Sequence, residues 1–365
     1  MAGPGAVRVT AIAAGLAVAA LALVGLRYQP ALSLALALGR APSAPATAEP
    51  PPEEIEIPAG PGRRLRADLY RPPQEAGALL LVHGLSPAGR RHPELVRLAR
   101  AVAARGQLVL VPHFEGLAAF RLSGREVDDV RAALTRLRSL AAGPAAVAGF
   151  SFGAGPALLA AADAPDLRLA GSFGGYADLR HVLVFVTTGV HRYAGRPERL
   201  RQEEYNRWKL LALLGGFVSD GGDREQLSAM ASRRLADPAA DTGGQEAALG
   251  PEGRALLALV ANRREDAVPG LVAALPAPAR RALDTLSPLP VMARLAGRLL
   301  IAHGAGDESI PYTESLRLAA AAGPRERAII LETFHHVGPR PWWPSPARLR
   351  DGWRLLRLAD GLLSP

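Results

Sequence analysis

The chain has 365 residues, 49% of them apolar, and 43 Lys and Arg against 34 Asp and Glu give a net charge of +9. Lysine occurs once, at Lys209, and the arginines are dispersed among acids rather than gathered into a basic block with interleaved aromatics, so a nucleic-acid partner is not expected. The absence of cysteine excludes disulfides, thiolate catalysis and cysteine-ligated zinc.

Residues 9–26 (VTAIAAGLAVAALALVGL) carry no charge and are followed by Arg27 and Tyr28. A helix of that length rises about 27 Å, close to the hydrocarbon thickness of a bilayer. A membrane anchor or signal is therefore expected over 1–28, as a single N-terminal transmembrane helix. Arg8 and the free amine flank one end and Arg27 and Arg40 the other, so the positive-inside count is nearly balanced; the exported side is favoured for the rest of the chain. The run 41–52 (APSAPATAEPPP) is too rich in proline for a helix and too poor in large apolar groups for a core. It centres a linker expected over 29–57.

After the linker the pattern changes. Residues 64–70 alternate like a half-exposed strand, and 78–82 (ALLLV) form a continuous apolar run of the kind buried on both faces. A helix at 92–105, a strand at 107–112, a helix at 125–140 and strands at 145–149 and 167–173 follow. Strands alternating with helices imply right-handed crossovers and a mostly parallel sheet covered on both faces. From 180 to 289 the pattern is helical, for example at 200–214 and 252–261, with no strand. Alternation then resumes with a strand at 298–302, a helix at 312–322, a strand at 328–331 and a helix at 346–363. The expected organisation is a core in two parts, 58–179 and 290–365, interrupted by a helical lid insertion, 180–289.

Ser151, in Gly149-Phe150-Ser151-Phe152-Gly153, stands where an apolar strand ends and an Ala/Leu-rich helix begins. A sharp turn there forces the serine into a strained conformation, and glycines on either side let strand and helix pass without a Cβ clash. The hydroxyl is then presented at the carboxyl edge of the sheet, near helix N–H groups that favour developing negative charge. Asp307 follows the strand that ends in His303-Gly304, and His335 and His336 lie one crossover further on. All three positions are strand ends, where open parallel sheets place their sites. Glu308 is an alternative acid, and either histidine could be the base. The loop after 78–82 (His83-Gly84-Leu85) can offer the Leu85 N–H, with that of Phe152, to an oxyanion; His83 reads as a residue shaping that loop. The other histidines (His92, His113, His181, His191 and His303) lack metal-ligand spacing and read as structural or surface residues, and no cofactor motif is present.

With these features the chain resembles the α/β-hydrolase superfamily over about residues 60–365. The resemblance rests on His83-Gly84, the Gly149–Gly153 stretch, His303-Gly304-Ala305-Gly306-Asp307 with Pro311 beyond it, and a histidine after the last strand. It implies a Ser151, Asp307, His336 triad. The base is assigned to His336 because Phe334-His335-His336-Val337 matches the Phe-x-His-Val of similar members. The insertion falls at the family's lid position. The implied activity is cleavage of a carboxylic ester or related acyl compound at a membrane surface, without metal or cofactor. Peptide or amide cleavage by the same residues is the alternative, favoured if the lid acids Glu203, Glu204, Asp220 and Asp223 converge on a substrate amine. A membrane-tethered binding protein without turnover is the contrasting class.

Overall fold

The continuous apolar runs become the central strands. The structure is a computed structural model that describes residues 27–38, 51–324, 326–335 and 345–364. Strands Glu53–Pro58 (β1), Arg64–Tyr70 (β2), Gly77–Val82 (β3), Gln107–Pro112 (β4), Ala145–Phe150 (β5), Leu169–Phe173 (β6), Arg298–Gly304 (β9) and Ala328–Leu331 (β10) form one sheet in the order β1-β2-β4-β3-β5-β6-β9-β10. From β4 to β10 all neighbours are parallel, whereas β1 pairs antiparallel with β2 and β2 with β4. Every residue of β3 and β4 is buried, which is why these strands read as unbroken apolar runs rather than alternating ones.

Successive side chains of a strand point to opposite faces, and β3 shows the division. Leu79 and Leu81 pack with Val109 and Val111 beneath Pro93–Ala103 (α2) and Pro346–Leu363 (α14). Leu80 and Val82 pack with Leu110 and Val147 beneath Glu126–Leu140 (α4) and Ala154–Ala161 (α5), and Leu318 of Thr313–Ala322 (α13) joins the same cluster. A short helix, Glu115–Ala118 (α3), follows β4.

Two elements fall inside the stretch expected as linker. Residues 27–38 form a helix (α1) that buries Ala31 and Leu34 against the α2/α14 face. β1 begins at Glu53 and pairs with β2 along its whole length. Its outer residues are acids that meet arginines, as in Glu53 with Arg71 and Glu54 with Arg90 and Arg91. Of the stretch 29–57, residues 29–38 and 53–57 thus belong to α1 and β1. The expected membrane span, 9–26, lies outside the described residues; among the described residues no helix is long and apolar enough to cross a membrane.

Between β6 and β9 stand helices Leu179–Thr188 (α6), Glu204–Gly215 (α7), Gly221–Ala236 (α8), Gly243–Ala248 (α9), Pro251–Ala261 (α10), Val268–Ala273 (α11) and Ala277–Thr285 (α12). One departure from the all-helical expectation is a hairpin, Val190–Tyr193 (β7) and Arg196–Arg199 (β8), closed by Ala194 and Gly195 at φ +48° and +77°. Two central residues at positive φ match the twist of paired strands. Leu211, Leu214, Leu227 and Leu256 of these helices belong to the same apolar cluster as Leu80 and Val147, so the insertion shares the core of the sheet. Its two ends are pinned. The buried Glu314 carboxylate accepts the N–H groups of Ala177 and Asp178, and the buried Tyr176 hydroxyl donates to the Leu286 carbonyl.

Candidate active site

β5 ends at Phe150, and the chain turns at once through Ser151 into α5. Ser151 has φ +51°, in the left-handed region that costs an L-residue roughly 1–2 kcal/mol. The surrounding glycines explain how so tight a turn is accommodated. A Cβ on Gly149 would lie 2.5 Å from the Cα of Ala154, and one on Gly153 would lie 2.2 Å from the His83 carbonyl oxygen. The strand, the helix and the loop after β3 therefore touch backbone to backbone around the serine.

The loop after β3 makes the closest approach. A Cβ on Gly84 would lie 2.8 Å from the Ser151 Cβ and 2.9 Å from the Phe150 carbonyl oxygen. His83 fixes the direction of the next peptide. Its buried ring accepts the Phe114 N–H on Nε2 at 3.0 Å, which leaves its proton on Nδ1, 2.8 Å from the Gly84 carbonyl. In a trans peptide the carbonyl and the following N–H point in opposite directions. Holding the Gly84 carbonyl toward His83 therefore turns the Leu85 N–H away from it. Burial pushes the His83 imidazole down to about 4, so the ring is neutral near pH 7 and the arrangement persists. Phe152 follows Ser151 in the first turn after β5, with its ring buried against Tyr176.

Asp307 stands in the loop after β9 and is fully buried. Its Oδ1 accepts the N–H groups of Ser309 and Ile310 at 2.8 and 3.0 Å, and its Oδ2 lies 3.2 Å from His303 Nε2. His303 also faces the Ile310 carbonyl through Nε2 and the Ser315 hydroxyl through Nδ1, so Nε2 carries the proton and Nδ1 accepts. Of the two adjacent acids it is Asp307 that is turned into the interior, while Glu308 is half-buried and presents its carbonyl to Asn206.

The segment after β10 packs directly on this loop. Ala305 donates to the Leu331 carbonyl and Gly306 to that of Phe334, and a Cβ on Gly304 would lie 2.3 Å from the His335 carbonyl oxygen. His335 is exposed and its Nδ1 lies 3.1 Å from the Gly306 carbonyl. His336 lies outside the described residues, one position beyond this contact. Ser151 is thus brought against Gly84, and the Asp307 loop against the chain leading to His336.

No protein-family model matches the chain, and no curated protein does either. Solved structures do. The alpha/beta hydrolase GrgF from Penicillium sp. sh18 superposes with a TM-score of 0.50 at 15% identity, over 86% of this chain and 100% of its own. A puromycin-hydrolyzing peptidase of Mycobacterium tuberculosis gives 0.50 at 20% identity, over 88% of this chain and 41% of its own. DcsB, solved in complex with its substrate analogue, gives 0.50 at 10% identity over 86% and 99%. This chain has the α/β-hydrolase fold.

Within this hydrolase fold, three residues near Asp307 carry more than the sequence suggested. His303 is structural, as read, being buried and held by Ser315 and the Ile310 carbonyl, and it also faces the Asp307 carboxylate. Asn206 and Lys209 of α7 reach the same loop: Asn206 donates to the Glu308 carbonyl at 2.9 Å, and the Lys209 ammonium lies 3.4 Å from the Ser309 hydroxyl. Burial pushes the Lys209 ammonium below its ordinary value, opposed by the charges of Asp307 and Glu203. Three of the four lid acids have partners of their own. Asp220 caps α8, buried Asp223 accepts from Gly250 and Gly253, Glu204 pairs with Arg263, and Glu203 is exposed. Among the described residues no three His, Asp or Glu side chains are grouped as metal ligands. A cavity of about 450 Å³ lined by Gln226, Arg233 and Asp241 lies in the insertion and does not touch Ser151 or Asp307.

Proposed function

We propose that the chain is a serine hydrolase that cleaves a carboxylic ester or related acyl bond, held at a membrane by residues 9–26 with its folded part on the exported side. His336 takes the Ser151 proton as Oγ attacks the carbonyl carbon. The N–H groups of Leu85 and Phe152 hold the oxyanion, a donor of this kind being worth about 2.7–4 kcal/mol of the barrier. His336 then protonates the leaving alcohol, and a water activated by the same ring resolves the acyl-enzyme while Asp307 orients the imidazole. No step draws on a metal or cofactor. The reading is carried by Ser151 at φ +51° with Gly84 packed against it. Ester chemistry is preferred to amide cleavage because Asp220, Asp223 and Glu204 are engaged in caps and ion pairs rather than free to hold a substrate amine.

The test is turnover of a short-chain aryl ester by the full chain, since removing the first 52 residues would strip the core of α1. Ser151→Ala is expected to abolish turnover. His336→Ala is expected to do the same while His335→Ala leaves most activity. Full activity in Ser151→Ala would eliminate the mechanism, and loss in His335→Ala alone would reverse the assignment of the base.

A further inference from the structure

Five large apolar side chains stand exposed among the described residues: Leu32, Leu36, Tyr205, Leu349 and Trp353. Four of them lie on two helices that cover one face of the sheet, α1 and α14. On α1, Tyr28, Leu32 and Leu36 recur every four residues and share one stripe, while Ala31 and Leu34 point the other way into the core. On α14, Leu349 and Trp353 are likewise four apart, 80% and 53% exposed, and the opposite side of the helix buries Leu358 and Leu362. The two stripes meet, because the Tyr28 and Trp353 rings lie 5.9 Å apart and Arg27 pairs with Asp360. The exposed apolar residues of the two helices are therefore neighbours across the Tyr28–Trp353 contact rather than scattered singly.

We propose that this α1/α14 face lies on the lipid bilayer, with Tyr28 and Trp353 at headgroup level and the leucines in the acyl boundary. Position in the chain points to lipid. The uncharged run 9–26 directly precedes Arg27, the first described residue of α1, in the sequence. A bilayer holding that run would lie within about one helical turn of Tyr28. Composition agrees. Paired Tyr and Trp are interfacial residues, and Arg350 and Arg357 border the α14 stripe as cations do on helices lying on a membrane. Glu332 pairs with Arg350 and Asp360 with Arg27, which offsets part of the positive charge at this face. This goes beyond the proposed hydrolase activity. It rests on the membrane-tether part of that reading, and it fixes which side of the molecule faces the lipid.

The absence of cysteine makes the test direct. Leu36→Cys, Leu349→Cys and, as an exposed control on the insertion, Ala239→Cys are each placed in the full chain and labelled with an environment-sensitive nitrobenzoxadiazole. The proteins are reconstituted with phosphatidylcholine/phosphatidylglycerol vesicles that contain or lack doxyl-lipid, and flotation is scored in parallel. The expected result is flotation, with blue-shifted emission at 36 and 349 that doxyl-lipid quenches several-fold more than at 239. Flotation with both labels as water-exposed as the control overturns this inference and leaves the tether standing. Shielding at 36 and 349 without lipid quenching assigns the face to a second copy and overturns it too. Failure to float overturns the inference and the tether together, whereas ester turnover is read separately.

Discussion

Gly84→Ala is the substitution whose consequence the geometry defines best. The new methyl carbon would sit 2.8 Å from the Ser151 Cβ and 2.9 Å from the Phe150 carbonyl oxygen. That is roughly 0.7 Å inside the ~3.5 Å at which two carbons cease to repel. Neither contact is the end of a flexible side chain, so the loop or the serine turn must move. Overpacking of this kind costs about 1–3 kcal/mol, and a chain of this size then melts a few degrees lower, at about 2–4 °C per kcal/mol. The larger effect is on rate. With Leu85 as the proposed oxyanion donor, the same displacement would carry its N–H out of place, and a misplacement approaching 1 Å costs about 10²-fold. With an aryl ester, kcat is expected to fall about 100-fold while KM changes little. Normalisation to the serine titrated by a fluorophosphonate removes any loss due to unfolding. A folded Gly84→Ala protein with kcat within about threefold of the parent would refute the placement of Leu85 as an oxyanion donor.

Other substitutions separate neighbouring roles. Asp307→Asn is expected to lower kcat by about 10³–10⁴-fold, as when an orienting carboxylate is neutralised, and Glu308→Gln to leave it within about threefold; equal losses in steady-state assays would contradict the assignment of the acid. Lys209→Met removes a positive charge beside Asp307, so the base becomes easier to protonate and the acid limb of kcat/KM moves up by roughly half a pH unit. Lys209→Arg keeps the charge and is expected to hold the limb in place. His83 is depressed to about 4 in the fold against about 6.5 unfolded, so the unfolded state binds more protons between those values and stability falls as pH drops through the window. The loss attributable to His83 is about 3 kcal/mol by pH 4, and His83→Gln is expected to flatten the urea midpoint between pH 7 and 5. Tyr176→Phe leaves the buried Leu286 carbonyl without its donor and is expected to cost about 1–3 kcal/mol in thermal melts.

How much was legible depended on how each element buries its side chains. β3, β4 and β5 are enclosed on both faces, so their sequences are near-continuous apolar runs whose bounds agree with the observed strands to within a residue. β1 is an edge strand whose outer positions are acids and which follows a proline run, so its alternation was submerged in the linker composition. α1 was hidden differently. Its leucines follow an uncharged segment and precede a proline-rich one, so its amphipathic pattern is easily absorbed into its neighbours. The β7/β8 hairpin has four-residue strands, with Pro197 in one and every residue of that one exposed, which leaves no period for a pattern to detect.

The site divides in the same way. Ser151 and Asp307 are legible as candidates because each stands at a strand end marked by contiguous residues, and the structure places both at strand ends. The partnership of Asn206 and Lys209 with the Asp307 loop joins positions about a hundred residues apart. His303 could have been found, since it stands four residues before Asp307 at the same strand end, but a histidine inside an apolar strand reads as a core residue. The lid acids are ambiguous in the sequence for a simple reason: an acidic residue at a helix start is as well explained by capping as by substrate binding, and Asp220 is a cap.

The most direct test of the account is reaction of the full chain with a fluorophosphonate, with the adduct located by tandem mass spectrometry. One adduct is expected, on Ser151, absent in Ser151→Ala and greatly slowed in His336→Ala. An adduct on another serine, or none from a protein that still turns over an aryl ester, would contradict Ser151 as the nucleophile.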